Sequence, residues 1–420
     1  MALEALEISG ERLSDELDTL SGITDDSRPG WTRTAFSDVE RDGRQWLASR
    51  MRDAGLEVRQ DSAGNVIGTL SGRHTGPAVV TGSHIDTVDS GGRYDGMVGV
   101  LGALEAVKAM REAGMTLDHP LRVVGFFGEE ANEFGLAHFG SRAIGGTLLP
   151  QHLELRNSEG VSLAAALQAR AGIDPQACMK ARWARLEAHA YVELHIEQGP
   201  LLEDHKRSIG LVTGIAGAQR FTASFSGRPD HAGNTPLNRR SDALCAAAEL
   251  TVSIEQIARD HPDGVATVGV IKVSPGASNV VPGHAELLGD MRSLYSLWLK
   301  DRRDETLRAA QAAGASRGVQ VSIAWPSITD PTLFTEPMQR VIGEAITATG
   351  HDPMPITSGA GHDAQEMAAI CPAGMIFIPS HDGRSHCPQE HTDASDLLVG
   401  VRALAEALVA LDKVDKADLA

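Results

Sequence analysis

Between residues 214 and 329 the chain reads as strand, helix, strand, strand, helix, strand, an order that closes on itself as a split βαβ sandwich. The strand-like runs are 219–225, 265–273, 285–292 and 319–325, and the helical runs are 238–259 and 295–313. Phe221, Ala223 and Phe225 alternate with Thr222, Ser224 and Ser226, while Val319, Val321, Ile323 and Trp325 alternate with polar or small residues. A period of two with apolar residues on one side predicts a sheet covered on one face and partly wet on the other.

The flanks of this stretch have a different style. Strand signals at 58–69, 78–81 and 121–127 alternate with helical ones before it, and a strand at 375–378 and a closing helix at 395–411 follow Asp330-Pro331. The helix expected over 98–113 carries Leu101, Leu104, Val107 and Met110 on an apolar face. Glu105, Lys108, Arg111 and Glu112 fall on its polar face, with Gly114 as C-terminal cap. The simplest account is an α/β domain made of residues 1–213 and 330–420, interrupted by an inserted domain at 214–329. A length of 420 residues accommodates both.

Charge narrows the partners. Lys+Arg 38 against Asp+Glu 56 gives a net charge of −18, which argues against nucleic acid and against anionic surfaces. The start, residues 1–20, is amphipathic and acid-rich, unlike a signal peptide, and no run of apolar residues is long enough to span a membrane. Cys178, Cys245, Cys371 and Cys387 follow no disulfide or thiolate-metal spacing, so a cytoplasmic location is expected. Cys387 beside His386 is read as a buried inert thiol, since sequence neighbours rarely present both side chains to one site.

Several apolar runs end in polar groups of one chemical kind. Residues 78–84 end in His84 with Asp86 beyond, residues 121–127 lead to Glu129-Glu130, residues 190–195 end in His195, and residues 375–379 lead to Ser385-His386. Ligands of open α/β sheets bind beyond the carboxyl ends of strands, where such groups could converge. Gly91-Gly-Arg-Tyr-Asp95-Gly96 adds a carboxylate between glycines just before a helix. Imidazoles with carboxylates suit Zn²⁺, Co²⁺ or Mn²⁺, and if Asp95 bridges two ions, His84, Asp95, Glu130, His195 and His386 give each ion three ligands and an open position. Spacing alone does not prove that they converge.

These residues lie within longer motifs: Gly82-Ser-His-Ile-Asp-Thr-Val88, Gly91-Gly-Arg-Tyr-Asp-Gly96, Glu193-Leu-His-Ile-Glu-Gln-Gly199, Asp230-His-Ala-Gly-Asn-Thr-Pro236, Ser278-Asn-Val-Val-Pro282, Ser358-Gly-Ala-Gly-His-Asp-Ala364 and Ser385-His-Cys-Pro388. In this order they resemble the hydantoinase/carbamoylase amidases over nearly the whole chain. That family comprises N-carbamoyl-L-amino acid hydrolases, allantoate and ureidoglycolate amidohydrolases and β-ureidopropionase, within the two-metal peptidases of the aminoacylase and carboxypeptidase G type. The resemblance implies an α/β fold with a mixed-sheet, two-metal peptidase-like catalytic domain and an inserted β-α-β-β-α-β (ferredoxin-like) dimerisation domain. It carries over His84, Asp95 (bridging), Glu130, His195 and His386 as ligands of two divalent metal ions, and Glu129 as the general base. Asp86 is implied as the group that orients His84, and His391, five residues past His386, is passed over as a ligand.

The resemblance also implies substrate contacts from Gln198, His231, Asn279, Arg292 and the backbone at Gly359, Ala360 and Gly361. His231 would reach the scissile group of the partner subunit in a homodimer, and Arg292 would clamp a substrate carboxylate with its planar fork. The expected substrate is a small carboxylate-bearing ureide or N-carbamoyl amino acid. Allantoate, ureidoglycolate, N-acyl amino acids and dipeptides remain alternatives, and a catalytically silent metal-binding protein is a further one. Where the family often reads Glu-Glu-Gly-Ser-Arg-Phe, this chain has Glu129-Glu-Ala-Asn-Glu-Phe134. A cavity wall that includes Glu133 would be less hospitable to a second substrate anion.

Overall fold

The computed structural model describes residues 6–420, so the first five residues of the acid-rich start lie outside the described residues. The chain divides into two compact units, one running to Thr213 and resuming at Phe334, the other spanning Gly214–Leu333.

In the first unit the strands are β1 (Glu57–Gln60), β2 (Val66–Leu70), β3 (Ala78–His84), β4 (Leu121–Phe126), β5 (Ala188–Ile196) and β6 (Gly210–Ile215). In the second they are β7 (Gly217–Ser226), β8 (Asp230–His231), β9 (Gly264–Ser274), β10 (Val280–Val281), β11 (His284–Ser293), β12 (Gln320–Thr329) and β13 (Thr332–Leu333); β14 (Met354–Ser358) and β15 (Ala373–Ile378) return to the first. The mixed sheet of the first unit runs β1-β2-β4-β3-β5-β15-β6, with β14 on β6. Its four middle strands, β4, β3, β5 and β15, are mutually parallel, and β3, β5 and β15 are buried throughout. Burial on both faces explains their continuous apolar runs.

The Met97–Glu112 helix packs on this sheet beside the closing Ala394–Leu411 helix. It is buried almost all round, which corrects the amphipathic reading at one position: Glu105 is only 2% exposed. Its carboxylate is taken up by Arg12 at 2.8 Å and by the Ser9 amide at 2.6 Å, both from the start of the Gly10–Ser21 helix. The single run expected over 58–69 is a hairpin, because the Asp61 side chain accepts from the amides of Ala63 and Asn65 and turns the chain between β1 and β2.

The second unit is an antiparallel sheet in the order β12-β7-β11-β9. The helices Ala243–Asp260 and Ser296–Arg317 cover one face, burying Phe221, Ala223, Phe225 and Leu287 against Leu250, Ile254 and Leu299. Each of the larger side chains, Phe, Leu and Ile, contributes about 1.5–3 kcal/mol by leaving water. The first helix starts at Ala243, five residues later than its periodicity suggested, because Asp242 caps it by accepting from the Cys245 amide. β8 and β10 pair separately, with Val280 opposite His231. The last residues of β6, Gly214 and Ile215, pair with Leu333 and Thr332 of β13, so the two chain crossings lie side by side. No helix among the described residues is long and apolar enough to cross a membrane.

Candidate metal centre

The parallel strands bring their carboxyl ends together, and each ends in one of the polar groups. His84 is the last residue of β3, His195 the penultimate residue of β5, Glu129 and Glu130 follow β4, and His386 follows β15. Asp95 enters from the turn before the Met97–Glu112 helix. Asp95 Oδ1 lies 3.1 Å from His195 Nε2 and 3.5 Å from His84 Nε2, while Oδ2 lies 3.1 Å from His386 Nε2. Glu130 Oε1 is 3.4 Å from the same His386 nitrogen. Two groups of potential ligands, His84–Asp95–His195 and Asp95–Glu130–His386, therefore share one carboxylate.

The donor set fits divalent cations. His84 Nδ1 is turned to the Asp86 carbonyl and His195 Nδ1 to the Ile196 carbonyl, each at 2.9 Å, which leaves Nε2 as the lone-pair atom on both rings. His195 Nε2 is buried with no hydrogen-bond partner, a cost that a cation beside Asp95 would remove. Burial opposes charge on His84, but Glu129, Asp95 and Asp86 raise its pKa well above the imidazole range. For His386, Asp95 and then Glu130 push it up to about 11. The pull that these carboxylates exert on protons is the pull a metal ion would answer. Gly96, at φ +69°, lets the turn pass under His84, where a Cβ would come within 2.5 Å of the ring.

Asp86 meets His84 through its main chain. Its carbonyl, not its carboxylate, holds His84; the carboxylate oxygen is 3.8 Å from Nδ1. The two carboxylate oxygens accept instead from the amides of Glu129 and Glu130, at 3.2 and 3.1 Å, fixing the turn that carries both. Burial raises the Asp86 carboxyl to about 6, with His84 opposing. Glu129 is buried with Oε2 3.6 Å from His84 Nε2 and Oε1 3.2 Å from His138 Nε2. Burial would raise its pKa, but His84 and then His138 outweigh it and hold the carboxyl at about 2. For Glu130 burial dominates and pushes it up to about 7.

Three neighbours escaped the sequence reading. Besides His138, these are Glu193, which accepts from Ser83, Tyr191 and the Ala364 amide, and His362, 2.8 Å from Ser358 Oγ. Glu193 and His362 form another potential ligand group with His195, but their hydrogen bonds already engage them. The spacing Tyr191, Glu193, His195 puts all three on one face of β5, a signal that was available.

Among the expected substrate contacts, Gln198 sits in the centre itself: its Nε2 donates to Asp95 Oδ2 at 2.8 Å and lies 3.3 Å from His386 Nε2. Gly359, Ala360 and Gly361 form the loop after β14, closed by Ser358 Oγ bonding to Ala360 and His362. His231, Asn279 and Arg292 belong to the second unit. His231 is exposed and its Nδ1 accepts from the amides of Gly233 and Asn234, so Nε2 carries the proton; the Asn279 carbonyl accepts from Ala232 beside it. Arg292 Nε donates to Asp290 at 2.8 Å. His391 lies against Tyr94 Oη at 3.3 Å and belongs to neither group. A cavity of about 370 Å³ adjoins Glu130, lined by Thr34, Thr87, Val88, Asn132 and Glu133. Glu133 is ion-paired with Arg170 and accepts from Asn157 at 2.5 Å.

Residues 80–410 match peptidase family M20/M25/M40. The chain is 40% identical over 402 residues to an N-carbamoyl-L-amino acid amidohydrolase of Geobacillus stearothermophilus, covering 94% of this chain and 97% of that one. It is 34% identical over 402 residues to an allantoate amidohydrolase of Bacillus subtilis, covering 95% and 97%. A crystal structure of a hydantoinase/carbamoylase family amidase from Burkholderia multivorans superposes with a TM-score of 0.88 at 31% identity, over 98% of this chain and 99% of that one.

Proposed function

We propose, from the premise that the chain belongs to peptidase family M20/M25/M40, that this hydrolase cleaves the carbamoyl group of N-carbamoyl-L-amino acids, giving free amino acid, carbon dioxide and ammonia. The observation that carries the reading is the shared Asp95 carboxylate between two ligand groups, with Glu129 buried beside one of them. On this reading His84, Asp95 and His195 hold one divalent cation and Asp95, Glu130 and His386 a second, each Zn²⁺, Mn²⁺ or Co²⁺. Bound there, the ions supply Lewis acidity toward the carbonyl oxygen and lower the pKa of water.

The chain's own groups do the rest. Glu129 accepts a proton from the attacking water and returns it to the leaving nitrogen, so that one C–N bond breaks without expelling an amide anion, and the carbamic acid that remains loses carbon dioxide to free the second nitrogen. Asp86 keeps Glu129 and Glu130 in place through their amides. In the proposed homodimer His231, protonated on Nε2, is suited to serve the other subunit's centre by donating to the carbonyl oxygen as negative charge develops, a contribution of about 3 kcal/mol for one donor. Asn279, Gln198 and the Gly359, Ala360 and Gly361 backbone complete the polar contacts, and Arg292 takes the substrate carboxylate. The cavity beside Glu130 is of a size for a small ligand.

Assembly as a homodimer is part of the reading. The edge strand β9 exposes Val265, Val270 and Ile271, which favours cover by a second copy. The test is to strip the metal, restore Mn²⁺, Co²⁺ or Zn²⁺ separately, and follow ammonia release from N-carbamoyl-L- and D-amino acids, allantoate and ureidoglycolate. Metal-dependent, L-selective release from carbamoyl amino acids is expected, with Glu129→Gln inactive at unchanged metal content. Release from allantoate or ureidoglycolate alone would transfer the activity to those ureides.

A further inference from the structure

We propose that His138 is a positioning residue that aims the Glu129 carboxylate, with Glu366 and Arg142 ranged behind it. The inference rests on the reading of Glu129 as the base. His138 Nε2 lies 3.2 Å from Glu129 Oε1, and with that oxygen engaged the other, Oε2, is the one turned toward His84. On its far side His138 Nδ1 faces Glu366 Oε1 at 3.6 Å, and the same oxygen lies 3.1 Å from Arg142 Nη2. Thr147 donates to the second oxygen of Glu366. The chain Glu129–His138–Glu366–Arg142 thus alternates in charge from the centre outward, with every member except Arg142 buried.

The backbone holds the ring where it can act. The amides of His138, Phe139 and Gly140 donate to the carbonyls of Glu129, Gly128 and Phe127 at 2.7, 2.9 and 2.8 Å, a ladder that locks His138 opposite the base. His138 is held at φ +59°, in the left-handed region that side chains other than glycine's rarely enter. Gly361 closes the other side: a Cβ there would come within 2.6 Å of the imidazole Cε1. Burial opposes a charge on the ring, but Glu129 and Glu366 together raise it to about 10, so Nε2 donates at neutral pH.

The test compares His138→Met with His138→Gln in the full-length, metal-loaded protein, on whichever substrate it turns over fastest. Removal of the donor in His138→Met is expected to lower kcat by about 10- to 100-fold with KM within about twofold and metal content unchanged. His138→Gln, which keeps an N–H, should recover most of that loss. A packing role predicts the reverse order, since methionine fills an apolar gap better than glutamine. A His138→Met variant as fast as His138→Gln would therefore overturn the proposal. A second readout needs no turnover: in crystals of the metal-free variants the Glu129 carboxylate should stay on the substituted amide in His138→Gln and swing away in His138→Met. An unmoved carboxylate in His138→Met would also overturn it. Glu129→Gln, assayed alongside, separates the two failures, because retained turnover there refutes the base itself while the crystal comparison still decides the role of His138.

Discussion

Replacing Gly96 by alanine strikes the centre without substituting any of its side chains. The new Cβ would sit 2.5 Å from the Cδ2, Cε1 and Nε2 atoms of His84, so the ring or the turn must yield by about 1 Å to reach ordinary contact. The φ of +69° adds strain of about 1–2 kcal/mol for an alanine, and forced repacking a further 1–3 kcal/mol, or about 2–5 kcal/mol together. The first unit has about 300 residues and an unfolding entropy of about 2.1 cal/mol/K per residue, so its Tm should fall by about 3–8 °C. Metal–ligand distances tolerate only about 0.2 Å, so on the two-ion reading the metal content should fall as well. Elemental analysis of the purified protein and calorimetry with and without added metal read both effects. Gly269→Ala, where a Cβ meets nothing within 4 Å, is the control. A Gly96→Ala protein with normal metal content and a Tm within about 1 °C of the parent would refute the reasoning.

Asp86→Asn puts an N–H against the amide of Glu129 or Glu130, losing a buried hydrogen bond worth about 1–3 kcal/mol; kcat should fall by about tenfold or more while KM changes little, as steady-state assays will show. Asp118 is held at about 2 by Lys413 and Arg73, below its value in the unfolded chain. Its contribution is therefore complete above about pH 4 and lost as pH falls toward 2, so the Tm difference between the parent and Asp118→Asn should be constant above pH 5 and vanish in acid. Ile271→Lys, at the exposed edge of β9, should shift sedimentation toward the monomer and make the Tm less dependent on protein concentration.

The meeting of these polar groups was partly legible because apolar runs end in them or lead to them, and a parallel sheet delivers strand ends to one place. His84 and His195 lie at the ends of their strands, whereas His386 lies on the loop past β15 and Asp95 in a glycine-flanked turn, so those two needed more than the strand-end rule. His138 was not legible, since nothing in Leu136-Ala-His-Phe139 distinguishes it until the ladder to residues 127–129 sets it against Glu129. The burial of Glu105 was hidden for a related reason. A helix periodicity records which residues are apolar, whereas the partner that admits a carboxylate to the interior, Arg12, lies 93 residues away. In the inserted stretch the alternation of Phe221, Ala223 and Phe225 fixed the covered face, but the helix start at Ala243 depended on one cap, Asp242, beneath a continuous apolar pattern.

The two ligand groups differ in their access to water. His84 and His195 are 2% and 1% exposed, whereas the His386 side chain is 50% exposed on a loop residue at φ +54°. On the two-ion reading, cations in the two positions exchange with solvent on different timescales. A chelator would then empty the Asp95–Glu130–His386 position first, and dialysed protein would collect in a singly loaded form instead of a random mixture of full and empty molecules. The inner group also draws all its ligands from before residue 200, while the outer one waits for residue 386. On that reading, during synthesis the inner ligands would be in hand while the outer position still lacked the C-terminal loop that completes it, giving loading a built-in order.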